Sequence, residues 1–395
     1  METLATIGYI SACVLLFSLA IAVHEFGHFI VALKLGLRVE RFSLGFGPAI
    51  WRKTWRGVEY RISWIPLGGY VSIPDVDPEG TKAMEGGGDA ARSEIPAWKE
   101  ILVALAGPAM NVVLAAVLAV ALSLVPGARF GEIGSVVGAV LPEGPAAKAG
   151  MQPGDRVLSV AGRPVSTWKE LMTEIQIVGE SEARFVVLRG GEEVALAIAP
   201  ERDRTTGACF IMAAPQKAEG DTPGTWLPAR SPLKQLSNDA GAIFRVLKAL
   251  VTPKEMKATG QALIGPVNIA QGIYYSMRRD FCDGIGFLRF LNVNLAVVNL
   301  LPIPVLDGGL IMFALIALVF RRRVPEKVVN ALSMAFLCLL LMFMAFLIYR
   351  DSARTWRIHK ASRELAAKAA AGEEESAAEE TEDADKARDK GAEGR

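Results

Sequence analysis

Histidine is almost missing from this chain, with three residues in 395. Imidazole chemistry must therefore be built from His24, His28 or His359. Cysteine is scarce as well. The four residues include no CxxC and no Cys/His tract, which excludes a thiolate-type metal centre. Cys13 and Cys338 lie in apolar runs and read as small hydrophobes. Cys209 and Cys282 lie outside those runs, and a disulfide between them is left open. Neither charge sign is in excess: 43 basic against 42 acidic residues give a net charge of +1, so no nucleic-acid partner is expected. No basic n-region or small-residue cleavage site precedes residue 24, so the first apolar run is expected to be retained rather than removed as a signal peptide. What abounds is apolar surface. The chain is 51% hydrophobic with mean hydropathy +0.31, yet 22% charged. A membrane core carrying a soluble module accounts for both figures.

Four runs are long enough to cross a bilayer, which takes about 20 residues: 5–33, 101–125, 287–320 and 331–349. The third is interrupted by NLLPIPVLDGG, Asn299 to Gly309. Broken backbone at membrane depth survives only when buried in protein or lining a cavity, so the break marks a site. Basic residues crowd two connections, Lys34 to Arg61 and Arg321 to Lys327. Four spans put both on one side, the cytoplasmic side by the positive-inside rule. Both termini and the middle segment then lie outside, although Arg350, Arg354, Arg357 and Lys360 speak against that for the tail.

Residues 41–71 alternate apolar and polar around Gly45, Gly47 and Gly57, which predicts a β-hairpin or small sheet. Its edge can pair with an extended peptide or can simply face solvent. Residues 74–96 read as a loop. Short strands with glycine turns and a helix near 167–178 predict a soluble domain over 131–201, followed by linker from 202 to 230. From Leu233 onward, apolar residues recur at helical spacing. That amphipathic helix either lies on the membrane surface or packs on the soluble domain. The Ala/Glu/Asp/Lys-rich tail from about 361 is expected to be helical at first, then disordered, and so largely disordered.

His24-Glu25-Phe26-Gly27-His28 lies inside the first apolar run. Histidines four apart share one helix face and can reach one metal, while the glutamate can take a proton from a water held there. The bland alternative, two histidines bonding across helices, is costly inside a membrane. A zinc site needs a third protein ligand. His359 lies beyond the last span, whereas Asp307 is the one carboxylate inside the third. Asp307 reads either as that ligand or as a helix cap beside Gly308. Gly107 and Asn111 share a face of the second span. They serve close packing against the zinc helix or a role in substrate binding. Asn299 either donates to a scissile carbonyl or ties down broken backbone.

Taken together, these motifs resemble the site-2 protease family of intramembrane zinc metalloproteases, in particular the bacterial regulator-of-sigma-E protease type. HEFGH (24–28) resembles the family's zinc helix, and LDGG (306–309) within NLLPIPVLDGG its second zinc motif. AGPAMN (106–111) resembles its second-span motif. FSLGFGPAIW and IPLGGYVS, the latter containing Gly69, resemble its membrane re-entrant β region. GPAAKAGMQPGD (144–155) resembles a bacterial PDZ domain. The chain departs in having room for one PDZ domain where relatives often have two, Leu310 where His is usual, and a long charged tail.

The resemblance implies a polytopic α-helical membrane protein of about four spans, with a cytoplasmic-side β-hairpin region and an external α+β PDZ domain. The expected divisions are 1–127, first half of the membrane core; 128–202, PDZ domain; 203–286, linker and amphipathic helix; 287–350, second half of the core; and 351–395, the tail. It implies Zn2+ on His24, His28 and Asp307, Glu25 as general base, and substrate or oxyanion contacts from Asn299, Asn111 and Gly69. It also implies a transmembrane protein substrate such as an anti-sigma factor, an upstream site-1-type protease, and a bacterial inner-membrane location with the PDZ domain and termini periplasmic or extracellular. Two other classes compete. A non-proteolytic zinc-binding PDZ scaffold has no use for Glu25. A metal transporter needs a polar path that these spans lack.

Overall fold

The first apolar run contains no proline, and it forms one helix, α1 (Glu2–Lys34), which ends where Gly36 turns left-handed at φ +70°. The computed structural model describes residues 2–76, 95–125, 134–203, 208–216, 231–263 and 265–392. The loop expected over 74–96 lies almost wholly outside them.

Strands β1 (Arg41–Trp55) and β2 (Val58–Ser72) meet at Arg56 and Gly57, both at positive φ, as tight hairpins require. The sheet is not a plain hairpin. β1 bends at Gly45 and Gly47, so Arg41–Leu44 is partnered by Ser72–Gly69 on one side and by Glu59–Ile62 on the other. Phe29, Phe42 and Tyr60 cluster between this sheet and α1.

Helix α2 (Ala97–Leu124) packs along α1. The two come so close that a Cβ on Gly27 would run into the Ala106 carbonyl and sit 2.8 Å from Met110 Cγ. Small residues at such crossings let backbones approach.

The soluble unit contains β3 (Val137–Val140), α3 (Pro145–Lys148), β4 (Arg156–Val160), β5 (Arg163–Pro164), α4 (Trp168–Val178), β6 (Ala183–Arg189), β7 (Glu192–Ile198), β8 (Glu201–Arg202), β9 (Cys209–Phe210) and β10 (Ala213–Pro215). Its central sheet runs β5-β4-β6-β7. Val137, Val157, Leu171, Ile175 and Phe185 are completely buried there, each contributing about 1.5–3 kcal/mol. A capping box of Thr167 and Glu170 starts α4. The expected boundary at 202 is too early. β10 pairs with β3, and Cys209 and Ile211 are in the core. Strands of two and three residues are too short to show alternation, so this stretch read as linker. Cys209 and Cys282 are free thiols, so the disulfide left open does not form.

The amphipathic helix forms as α5 (Pro232–Val251), followed by α6 (Pro253–Ala262), α7 (Pro266–Arg279) and α8 (Phe281–Asn299). α5 bridges the soluble unit and the apolar helices. Arg245 grips Glu174 of α4 at 2.9 Å through two nitrogens and Glu255 of α6 at 2.6 Å. Six residues earlier on α5, Asp239 pairs with Arg289 of α8 at 2.7 Å.

The expected third span is two helices, α8 and α9 (Asp307–Phe320), because Pro302 and Pro304 prevent a continuous one. α10 (Glu326–Ala392) continues through the tail expected to be largely disordered, since Ala, Glu and Lys are strong helix formers. Among the described residues, four helices are long and apolar enough to cross a membrane: Val14–Lys34, Ala97–Leu124, Phe281–Asn299 and Glu326–Arg357. At 14 residues α9 is about 21 Å long, short of the roughly 30 Å hydrocarbon core.

The two basic connections lie at one end of this bundle. Arg323, after α9, reaches the Ile95 carbonyl and pairs with Glu100 of α2. At the other end, Arg350 of α10 donates to the Gly260 and Leu263 carbonyls, and Asp351 accepts from the Asn268 N–H at the start of α7.

Candidate active site

Helical spacing puts the two imidazoles of α1 together, with His24 Nε2 and His28 Nε2 3.2 Å apart. Their outer nitrogens face α2. His28 Nδ1 lies 2.7 Å from the Val103 carbonyl, and His24 Nδ1 lies 3.0 Å from the Asn111 side-chain amide. α2 can come this near because of Gly107. A Cβ there would stand 2.6 Å from His28 Cε1 and 2.7 Å from His24 Cε1.

The third group arrives from the other half of the chain. Asp307 is the first residue of α9, and its carboxylate points at the histidines: Oδ2 to His24 Nε2 3.2 Å, Oδ1 to His28 Nε2 3.5 Å. It does not cap its helix, since Leu306 holds the cap position and no side-chain cap bond forms. The turn before α9 presses onto the following glycines, so that a Cβ on Gly309 would meet Pro304 Cα at 2.6 Å. LDGG thus combines the acid with the two residues that let the turn close behind it.

These residues fit a metal ion. The three side chains are 9%, 11% and 15% exposed. Two imidazole lone pairs aimed at each other at 3.2 Å repel unless a cation or proton lies between them. Asp307 Oδ2 is buried without a hydrogen-bond partner. Bonds of about 2.0–2.1 Å to a tetrahedral ion put neighbouring ligand atoms about 3.3 Å apart. The two imidazole nitrogens 3.2 Å apart, and the Asp307 oxygens 3.2 Å (Oδ2) and 3.5 Å (Oδ1) from them, stand close to that spacing. This is the one such group among the described residues.

Glu25 lies within electrostatic reach of all three and of the Val71 backbone N–H of β2. A Cβ on Gly69 would stand 3.5 Å from Glu25 Cγ, so β2 runs past the glutamate. Asn299 closes α8 beside the group, its amide nitrogen 3.4 Å from His24 Nε2. Asn111 is fully buried against His24. Sequence reasoning missed Val103, which acts through a backbone carbonyl that any residue type supplies. The described residues do not include the His359 side chain.

The model of peptidase family M50 matches residues 12–343. Curated relatives with provisional zinc-metalloprotease names include one from Campylobacter jejuni, 28% identical over 87% of this chain and 93% of its own length. Another, from Synechocystis, is 32% identical over 89% and 95%. Among solved structures, the HtrA3 PDZ domain bound to a phage-derived ligand is 35% identical over 18% of this chain and 64% of its own, at a TM-score of 0.16. The PDZ domain of an SdrC-like protein from Listeria monocytogenes is 20% identical over 21% and 86%, at 0.19. With the family model spanning both halves of the His24–His28–Asp307 group, the chain belongs to peptidase family M50, the site-2 proteases.

Proposed function

We propose that this protein is an intramembrane zinc endopeptidase that cuts transmembrane segments of other membrane proteins. One observation carries the reading: three ligand side chains from two distant apolar helices converge with a glutamate beside them. His24, His28 and Asp307 would hold zinc, which supplies Lewis acidity toward a water and a peptide carbonyl. Glu25 takes the proton of the attacking water and returns it to the leaving amine. The Asn299 amide donates to the oxygen of the scissile carbonyl as charge gathers there. A helical substrate must unwind to expose a peptide bond, and pairing with the β2 edge beside Gly69 would hold it extended.

The substrate class that best suits this reading is a single-span regulator such as an anti-sigma factor, trimmed first by a site-1-type protease. The location is a bacterial inner membrane, with the basic connections cytoplasmic and the PDZ-like unit periplasmic. The test is zinc content and cleavage by detergent-purified protein. Wild type should hold one zinc, sharply reduced by His24→Ala and by Asp307→Ala. Glu25→Gln should keep the zinc and lose cleavage of a model transmembrane substrate. Cleavage by Glu25→Gln at the wild-type rate would refute the mechanism.

A further inference from the structure

Asn111 of α2 has no place in the chemistry above, yet it is one of the few polar side chains fully buried among the apolar helices. Its side-chain nitrogen stands 3.0 Å from His24 Nδ1, and its oxygen is buried with no hydrogen-bond partner. An unpaired amide oxygen in apolar surroundings costs about 1–3 kcal/mol. The two ends of an amide are interchangeable in shape, so which one faces a neighbour is decided by the hydrogen bond it makes.

That bond is decided here by His24. Its Nε2 faces Asp307 and His28 Nε2, so Nε2 offers the lone pair to the metal. A neutral imidazole that gives one nitrogen to a metal carries its proton on the other. Nδ1 is therefore an N–H donor, and an amide NH2 facing it would set donor against donor. The arrangement closes only with Asn111 Oδ1 turned to accept from Nδ1–H. His28 repeats the pattern, its Nδ1 standing 2.7 Å from the Val103 carbonyl, which can only accept. The two ligand histidines thus lean on two oxygens of the same helix, eight residues apart.

We infer that Asn111 is a positioning residue for the metal centre, its side-chain oxygen fixing the tautomer and ring orientation of His24. The inference rests on the zinc reading above. It assigns Asn111 to the metal's outer sphere rather than to substrate contact or to packing alone. Changing such a partner typically weakens metal affinity about 10–100-fold.

The experiment is chelator competition for zinc on the full-length detergent-purified chain, with cobalt(II) absorption as a second readout of ligand geometry. Asn111→Leu keeps the branched shape, with somewhat larger methyl ends, and removes the acceptor. Asn111→Asp keeps an acceptor toward Nδ1–H. Thermal unfolding of both metal-free variants reports on packing alone. The expected result is zinc affinity about 10–100-fold weaker and an altered cobalt spectrum in Asn111→Leu, with Asn111→Asp within a few-fold of wild type. Wild-type affinity in Asn111→Leu would overturn the inference. So would an Asn111→Asp chain that folds but loses zinc as Asn111→Leu does, and this arm decides the matter if Asn111→Leu does not fold. A wild-type chain holding no zinc would overturn the zinc reading and this inference with it. A zinc-loaded wild type beside an unaffected Asn111→Leu would overturn this inference alone.

Discussion

Gly107→Ala is the smallest change that tests whether helix packing builds the metal centre. The added Cβ would stand 2.6 Å from His28 Cε1 and 2.7 Å from His24 Cε1, and closer still to His28 Nε2, where ordinary contact begins at 3.4 Å. Relief needs about 0.7–0.8 Å at the two ring carbons and more at the nitrogen. The rings cannot simply retreat, because Val103 and Asn111 hold their outer nitrogens. Metal–ligand distances tolerate only about 0.2 Å. A misplacement near 1 Å costs about 100-fold in rate even when nothing else is lost. Gly107→Ala should therefore lose most of its zinc and at least about 100-fold of its activity while keeping its helical content. Zinc by elemental analysis, cleavage of a transmembrane substrate and far-UV circular dichroism check the three parts. Gly260→Ala is the control, with nothing within 4 Å of the added Cβ in α6. It should be neutral or stabilise by about 0.5–1 kcal/mol. A Gly107→Ala chain with full zinc and full activity would refute the packing argument.

Arg245→Met leaves Glu174 and Glu255 largely buried without their counter-charge. It should destabilise the junction between the β3–β10 unit and α5 by about 3–5 kcal/mol, read as faster hydrogen exchange in α4 and α5. Burial pushes the Asp155 carboxyl up, but the Arg189 guanidinium and the Gln152 N–H more than offset this and hold it below the usual carboxylate range. The stability this supplies is complete above the unfolded value of about 3.9 and is lost as pH falls through the lower folded value. Asp155→Asn should therefore flatten the acid limb of thermal unfolding in the β3–β10 unit, and an unchanged limb would contradict the assignment. Thr167→Ala removes one half of the capping box at α4 and should cost about 1 kcal/mol in the same measurement.

Much of the site was legible in the primary structure because its parts are local. His24 and His28 are joined by helical spacing, and Glu25 is their chain neighbour. Asp307 stood out because a carboxylate between prolines and glycines inside an apolar run has few structural excuses. The domain edge at 202 misled because β8, β9 and β10 are too short to alternate. The tail misled because a charged, alanine-rich composition suits both a solvated coil and a helix, and composition alone does not separate them. The third apolar run announced its break at Asn299–Gly309 but not its consequence, a 14-residue helix that begins with Asp307.

The sequence by itself determined the histidine pair, the adjacent glutamate, the apolar runs and the presence of a separate unit between them. Each follows from spacing or composition within one segment. Only the tertiary structure decided which donor completes the group and how its rings are oriented. Asp307 lies 279 residues from His28, and the Asn111 side-chain amide and the Val103 carbonyl reach the imidazoles only because Gly27 and Gly107 let α1 and α2 approach. Distances of 2.7–3.5 Å between remote segments are set by helix packing, which no local pattern encodes.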